Sequence, residues 1–552
     1  MTNLGLPQAD SLSLEQQVAQ LIIVRASGLL FDHQRRYPQW ELAQADLRHC
    51  VEALGIGGVI VLGGSAVEVG VRSQQLQAWA DIPLLIAADV EEGVGQRFSG
   101  ATHLPPPMAL SAIARTDWAQ ACQYAEQMGQ ITAQEAIAIG LNWILAPVVD
   151  VNNNADNPVI NIRAFGETLE QVSELTAAFI RGAQQLPVLT TAKHFPGHGD
   201  TAVDSHLHLP VIPHDRDRLN AVELAPFRTA IAVGVDTVMT AHLQVPSLDP
   251  QLPATLSPSI LTQLLRQDLG FDGLVVTDAL IMGAITNYYG SYEAAVMALE
   301  AGADILLMPQ DPEGTIQAVC EAVRTGRLTP DRILMSVERI WQAKQKVSNQ
   351  LSAPANPNHA WEHLPPPPVD LDALAKPQSR NLITQIATAA MQTQGQIAPA
   401  SSLKMARSLV IVDDVLTTSW LTPHAPAIAL PAAQGYSPRL LDTAACSLSP
   451  PSPAIPQPPT LLQIFSRGNP FRGSAGISDL ALSWFRLLQD ADCLRGLVVY
   501  GSPYVLDMLL SELAADIAYG FSYGQMPEAQ DVLLAALFSI KAGVTRDTAF
   551  TD

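Results

Sequence analysis

Charge and cysteine are what this sequence holds sparingly. Only 15% of its 552 residues are charged, and the basic ones are the minority, 31 Lys and Arg against 53 Asp and Glu, for a formal charge of −22. That balance opposes non-specific attraction to nucleic acid or to an anionic membrane surface, so neither partner is expected. The five cysteines (Cys50, Cys122, Cys320, Cys446, Cys493) are odd in number and far apart, without a CxxC pair. Such spacing argues against a disulfide framework or a zinc ribbon and fits reduced thiols. No apolar run approaches the ~18 residues of a membrane span, so a soluble chain is expected. The opening stretch MTNLGLPQADSLSLEQQVAQ has no basic region followed by an apolar run, hence no visible secretory signal, and a cytoplasmic location is expected. GxGxxG and GxxxxGKS/T loops are missing beside the C-terminal strand candidates, which argues against a nucleotide domain there.

What the chain does have is rhythm. Short apolar runs recur eight times in the first 310 residues: LIIV from Leu21, GGVIVLG from Gly57, LLIAADV from Leu84, NWILAPVVDVN from Asn142, VLTTAKHF from Val188, DTVMTAH from Asp236, GLVVTDA from Gly273 and DILLMP from Asp304. Amphipathic stretches of helical period, such as TLEQVSELTAAFIRGAQQ, separate many of them. Eight strand–helix units predict an α/β fold, a (β/α)8 TIM-like barrel. Continuous apolar strands are what a parallel sheet buried on both faces requires. Asp89, Asp150, Lys193, His194, His242 and Asp278 all fall at or just past strand ends, where barrels collect their chemistry. The composition then turns to SAPANPNHAWEHLPPPPVDLDALAKPQ, a stiff proline-rich spacer. The expected division is a catalytic barrel over 1–350, a linker over 351–377 and a smaller α/β sandwich domain over 378–552, with strands in SLVIVDD, LLQIFSR and GLVVYGS.

The segment KHFPGHGDTAVDSHLHLP, residues 193–210, gathers Lys193, four histidines (His194, His198, His206, His208) and Asp200 and Asp204. A metal cage, a phosphate site and a proton-transfer site for a polyhydroxylated substrate all fit that mixture. The histidines, joined by His242 and Asp278, offer metal ligands. In DSH, Asp204 and His206 are close enough for the carboxylate to orient the imidazole as an acid/base unit; alternatively Asp204 caps a turn and His206 only packs. Lys193 and His194 suit donation to substrate hydroxyls, or Lys193 is salt-bridged. Asp278, at the end of a β-branched run, is placed to attack carbon, to bind a metal or to cap the next helix.

Taken together these segments resemble glycoside hydrolase family 3, and within it the β-N-acetylglucosaminidase (NagZ-type) branch, strongly over residues 15–345 and more weakly beyond 378. The resemblance implies Asp278 as catalytic nucleophile, His206 as acid/base and Asp204 as its dyad partner. It also implies sugar-hydroxyl and N-acetyl contacts from Asp89, Arg97, Arg163 (in NPVINIRAFG), Lys193 and His194. The implied activity is a retaining β-N-acetylhexosaminidase that releases terminal β-linked N-acetylglucosamine from small glycosides, with peptidoglycan-derived fragments as substrate and with neither metal nor cofactor. Alternatives are a family 3 β-glucosidase, a metal-dependent barrel hydrolase, and a sugar-binding protein without catalysis, which the presence of both Asp278 and His206 disfavours. One departure stands out in DVEEGVGQRF: where the branch has Glu-Gly-Gly-Arg, this chain has Glu91, Glu92, Gly93 and Val94.

Overall fold

The computed structural model describes residues 6–204, 208–348, 369–400, 405–413, 415, 418, 420–443, 456–468 and 475–543. They form two compact units, the first comprising 1–103, 119–154 and 163–379, the second 104–118, 155–162 and 380–552. No composition signal marks the two short pieces, 104–118 and 155–162, that group with the C-terminal residues.

In the first unit eight strands run in chain order: β1 (Ile22–Ser27), β2 (Gly58–Leu62), β3 (Leu85–Ala88), β4 (Trp143–Ile144), β5 (Thr191–Phe195), β6 (Thr237–Thr240), β7 (Leu274–Val276) and β8 (Leu306–Leu307). The order β4-β3-β2-β1-β8 makes one parallel arc and β5-β6-β7 another. Parallel bridges from Trp143 to Leu189 and from Val276 to Ile305 join the arcs, so the strands follow one another around a barrel. Each strand coincides with an apolar run of the sequence, because a strand covered by helices outside and side chains inside has no solvent face. The helix over Leu169–Ala183 starts where the Thr168 hydroxyl accepts the Gln171 N–H at 3.3 Å.

The end of the barrel away from the strand C-termini is fastened by one buried charge. Asp304, 0% exposed, sits just before β8. It accepts from the Val275 N–H at 3.0 Å and the Ser336 hydroxyl at 2.7 Å, and faces Arg266, Arg332 at 3.6 Å and Arg339 at 3.1 Å. Without that carboxylate the guanidiniums would lose their compensating charge.

The second unit holds a six-stranded sheet: β9 (Gln392–Gln394), β10 (Arg407–Val412), β11 (Ser437–Asp442), β12 (Thr460–Ser466), β13 (Leu494–Gly501) and β14 (Tyr519–Ser522), in the order β11-β10-β12-β13-β14-β9. All neighbours are parallel except the edge pair β14–β9. Val410, Val412, Leu461, Phe465, Val498 and Tyr500 join Leu430, Leu533 and Leu537 of the flanking helices in one core. The intervening Leu409, Ile411, Leu462, Ile464, Leu497 and Val499 are equally buried, so both sheet faces are covered, as the sandwich expectation requires. Of the linker read over 351–377, residues through 368 lie outside the described residues. Residues 369–377 group with the first unit, held there by the Asp370 N–H on the Ala138 carbonyl at 2.9 Å and the Ala375 N–H on Glu135 at 2.8 Å. Among the described residues no helix is long and apolar enough to cross a membrane.

Replacing Asp304 by Ala is expected to lower the stability of the first unit by roughly 3–5 kcal/mol, since it strands buried cations. Equilibrium unfolding in urea checks this; an unchanged midpoint and slope would show that the three arginines do not depend on it.

Candidate active site

The site is built from loops at the C-terminal ends of β3, β4, β5 and β7. Lys193, in β5, is a 1% exposed ammonium, and burying it requires opposite charge close by. The loop after β3 supplies that charge twice, Asp89 Oδ1 at 2.8 Å and Glu91 Oε1 at 2.6 Å from Nζ. Glu91 also receives Arg163 in a two-pronged contact, Nε to Oε2 and Nη2 to Oε1, both 2.8 Å. Arg97 donates through Nε to the Asp89 main-chain carbonyl at 3.0 Å. Asp89, Lys193 and Arg163, expected from the sequence to share a site, are thus joined through Glu91, a residue that stands out in the sequence only as part of the altered DVEEG loop.

Exposure differs sharply within this cluster. The Asp89 side chain is 30% exposed, against 1% for Lys193 and 2% for Glu91. Asp89 therefore faces the barrel mouth with a charge set from beneath. Burial alone would raise the pKa of Asp89 and Glu91, but Lys193 with Arg97 outweighs it for Asp89, and Arg163 with Lys193 for Glu91, so both lie below the usual carboxylate range, Glu91 well below. Burial pulls Lys193 the other way, and Asp89 and Glu91 more than restore it.

A second hub is Asp150, 1% exposed, in the loop after β4. Its carboxylate accepts the His198 N–H at 2.7 Å, the His194 N–H at 3.2 Å and His194 Nδ1 at 2.8 Å. An ionised carboxylate only accepts, so Nδ1 of His194 carries the proton and the ring orientation is fixed. Burial would raise the Asp150 pKa, yet His194 and His198 hold it below the ordinary value. Burial also drives His198 down to about 4, keeping it neutral near pH 7. Directly after His198 the chain needs glycine at 199, where a Cβ would stand 1.7 Å from the Val151 carbonyl oxygen.

Asp278 lies two residues past β7, with Oδ1 accepting the Ala279 N–H at 2.7 Å. Its charge acts weakly on His198, against the burial that dominates there. Asp204 is 3% exposed and its carbonyl accepts the His208 N–H at 3.0 Å. His206 lies outside the described residues. His242, offered as a metal ligand, has both ring nitrogens engaged, Nδ1 with Thr255 Oγ1 at 2.8 Å and Nε2 with the Ala279 carbonyl at 3.1 Å, so it braces the loop that carries Asp278. The ligand-type group among the described residues is a different one, Asp200, His214 and Glu223, within 4.8 Å of one another. Arg218 already supplies a cation there, 3.6 Å from Asp200 and 3.3 Å from Glu223. The altered loop is accommodated locally: Glu92, 0% exposed, pairs with His103 at 3.0 Å.

The chain matches the glycosyl hydrolase family 3 N-terminal domain over residues 13–343 and the bacterial glycosyl hydrolase family 3 C-terminal domain over 400–539. It is 33% identical over 377 residues to β-hexosaminidase A of Pseudoalteromonas piscicida, covering 63% of this chain and 60% of that protein. It is 32% identical over 308 residues to a β-N-acetylglucosaminidase/β-glucosidase of Cellulomonas fimi, covering 54% of each. The match thus spans less than two thirds of these two relatives' lengths. Among solved structures, a family 3 β-N-acetylglucosaminidase from Paenibacillus sp. str. FPU-7 superposes with a TM-score of 0.75 at 30% identity, covering 96% of this chain and 98% of that one.

Glu91→Gln is expected to cost roughly 3–5 kcal/mol at pH 7, because it uncovers Lys193 and Arg163 together. A carboxylate with a depressed folded pKa stabilises above its unfolded value of about 4.3 and loses that contribution as pH falls through the folded value. The gap between parent and variant should therefore narrow only on the acid side. Denaturant unfolding from pH 7 down to the lowest pH at which the parent stays folded measures it; a gap independent of pH would contradict the charge argument.

Proposed function

The chain belongs to glycosyl hydrolase family 3, and from that premise we propose that it is a retaining β-N-acetylglucosaminidase that removes terminal β-linked N-acetylglucosamine. In this reading Asp278 attacks the anomeric carbon while His206 protonates the departing oxygen, giving a glycosyl-aspartate ester and the free leaving group. His206 then takes a proton from water, whose oxygen displaces Asp278 and restores the enzyme with the original anomeric configuration. Asp204 orients His206 and stabilises its protonated form. Asp89, Lys193, His194, Arg163 and Arg97 hold the sugar.

The observation that carries this reading is Asp278 two residues past the C-terminal end of β7, its loop braced by His242 through the Ala279 carbonyl. The names of the relatives add the acetamido sugar. A peptidoglycan-derived fragment is the substrate we assign, handled in the cytoplasm. In support of that compartment, Cys50, Cys122, Cys320 and Cys493 are all free thiols. A β-glucosidase is the second reading, favoured by the dual name of the Cellulomonas relative.

Nitrophenol release separates these. The parent should cleave the β-N-acetylglucosaminide faster than the β-glucoside, with no effect of chelator, and Asp278→Asn should lower kcat by at least about 10³-fold. Faster β-glucoside turnover would hand the assignment to the second reading. A variant as active as the parent would remove Asp278 from the nucleophile role.

A further inference from the structure

Besides the Lys193 and Asp150 hubs, the first unit gathers a third group of polar side chains. Asp200 follows β5, His214 stands just before the helix over Arg216–Ala221, and Glu223 lies just after that helix. One potential ligand atom of each lies within 4.8 Å of the other two. His214 Nε2 is 2.7 Å from Asp200 Oδ2, and Asn154 Nδ2 donates to Asp200 Oδ1 at 3.3 Å. The side chains of Asp200 and His214 are 25% and 27% exposed, whereas that of Glu223 is 3% exposed and forms the floor of the group. Gly197, with φ of 129°, passes so close that a Cβ there would stand 2.9 Å from Glu223 Cβ, which fixes the floor under the histidine-rich loop.

The floor is short of positive charge. Among the described residues neither carboxylate oxygen of Glu223 has a hydrogen-bond partner. Its ion pair is with Arg218, whose Nη2 is 3.3 Å from Glu223 Oε1 and 3.6 Å from Asp200 Oδ2, so one nitrogen is shared between two carboxylates at long range. A buried carboxylate needs closer compensation than that. Burial accordingly outweighs Arg218 and raises the Glu223 pKa. Glu91 shows the contrast: buried to the same degree but met by Arg163 and Lys193 at hydrogen-bond distance, it lies well below the usual range.

Two carboxylates and one imidazole are the donor set of a divalent transition-series cation, which binds such atoms at about 2.0–2.2 Å. A route to the floor exists although the Glu223 oxygens themselves are closed to solvent. The group against Oε1 is Arg218, 34% exposed, and its outward swing opens the place between Asp200 and His214 that its Nη2 holds. An ionised Asp200 only accepts, so His214 Nε2 carries a proton until an ion arrives. The ion then takes the Nε2 lone pair, that proton leaves to solvent, and the ring keeps its other proton on Nδ1. Two positive charges balance two carboxylates, and the exposed side of the ion takes water.

We propose that Asp200, His214 and Glu223 form a binding site for a divalent cation of the Zn2+ kind, which displaces the Arg218 guanidinium. The ion ties together the two ends of segment 200–214, in which Asp204 and His206 lie. Arg218 and the Asp200–His214 contact hold those ends when no ion is bound, so the site stabilises the segment and turnover does not require it. The proposal stands apart from the glycosidase reading.

Calorimetric titration of Zn2+ into the full chain, freed of metal by a chelator, tests the proposal, with Mg2+ as the comparison. The parent should bind Zn2+ in a saturable way and Mg2+ more weakly, since Mg2+ prefers an all-oxygen shell. Zn2+ should also raise the thermal unfolding midpoint. His214→Ala and Glu223→Gln should each weaken Zn2+ binding by at least about 10-fold, the least that loss of even an outer partner costs. His214→Ala alters a partly exposed side chain and serves if the buried Glu223→Gln does not fold. Arg218→Ala removes the competing cation and should tighten binding. No saturable binding by the parent, or an affinity unchanged in His214→Ala, overturns the proposal. An affinity that does not rise in Arg218→Ala overturns it as well, because the ion then lies elsewhere among the chain's 12 histidines.

Discussion

A lysine that is almost wholly buried dictates the arrangement of this barrel's mouth. Lys193 cannot stay charged at 1% exposure without anions in contact, and the loop after β3 provides them. Glu91 then carries more than one cation needs, and Arg163 uses the remainder. Two cations and two carboxylates balance, while Asp89 alone of the carboxylates keeps a solvent-facing part. A carboxylate facing the barrel mouth is thereby held rigid and ionised from below, which is cheaper at the moment of binding any ligand than ordering a free side chain.

Asp150 performs the corresponding task for the backbone. Three donors, two from His194 in β5 and one from His198 just after it, converge on one carboxylate, so the histidine-rich loop folds around it. The two hubs divide the work: charge compensation under Asp89, loop shape under His194. His242 adds a brace from β6 to the Asp278 loop through the Ala279 carbonyl. Buried polar networks of this kind tolerate little partial loss, because each member satisfies another.

The sequence revealed the barrel because its strands are buried on both faces and so read as uninterrupted apolar runs. The same logic failed at the margins of the second sheet. β11, SPRLLD, exposes its first four residues and contains a proline, and β9, QTQ, is polar and wholly exposed, so neither carries a core signature. β14, YGFS, is too short to show a period. At the site, residue type and strand-end position pointed to Asp89, Lys193, His194 and Asp278. Pairing was another matter. Spacing along the chain says nothing of which cation Glu91 meets 72 residues away at Arg163, nor that His103 would receive Glu92 in a loop that departs from its family pattern.

The overall charge of −22 bears on what such a mouth can admit. A strongly acidic chain repels anions at long range, so recognition of a substrate has to rest on uncharged contacts or on local cations. The local cations are largely spent: Lys193 and Arg163 on Glu91 and Asp89, Arg218 on Asp200 and Glu223, Arg25 on Glu41. What remains for a ligand is a set of oriented donors and acceptors with little net charge among them. Such a set favours an uncharged, hydrogen-bonding ligand over one that carries an acidic substituent.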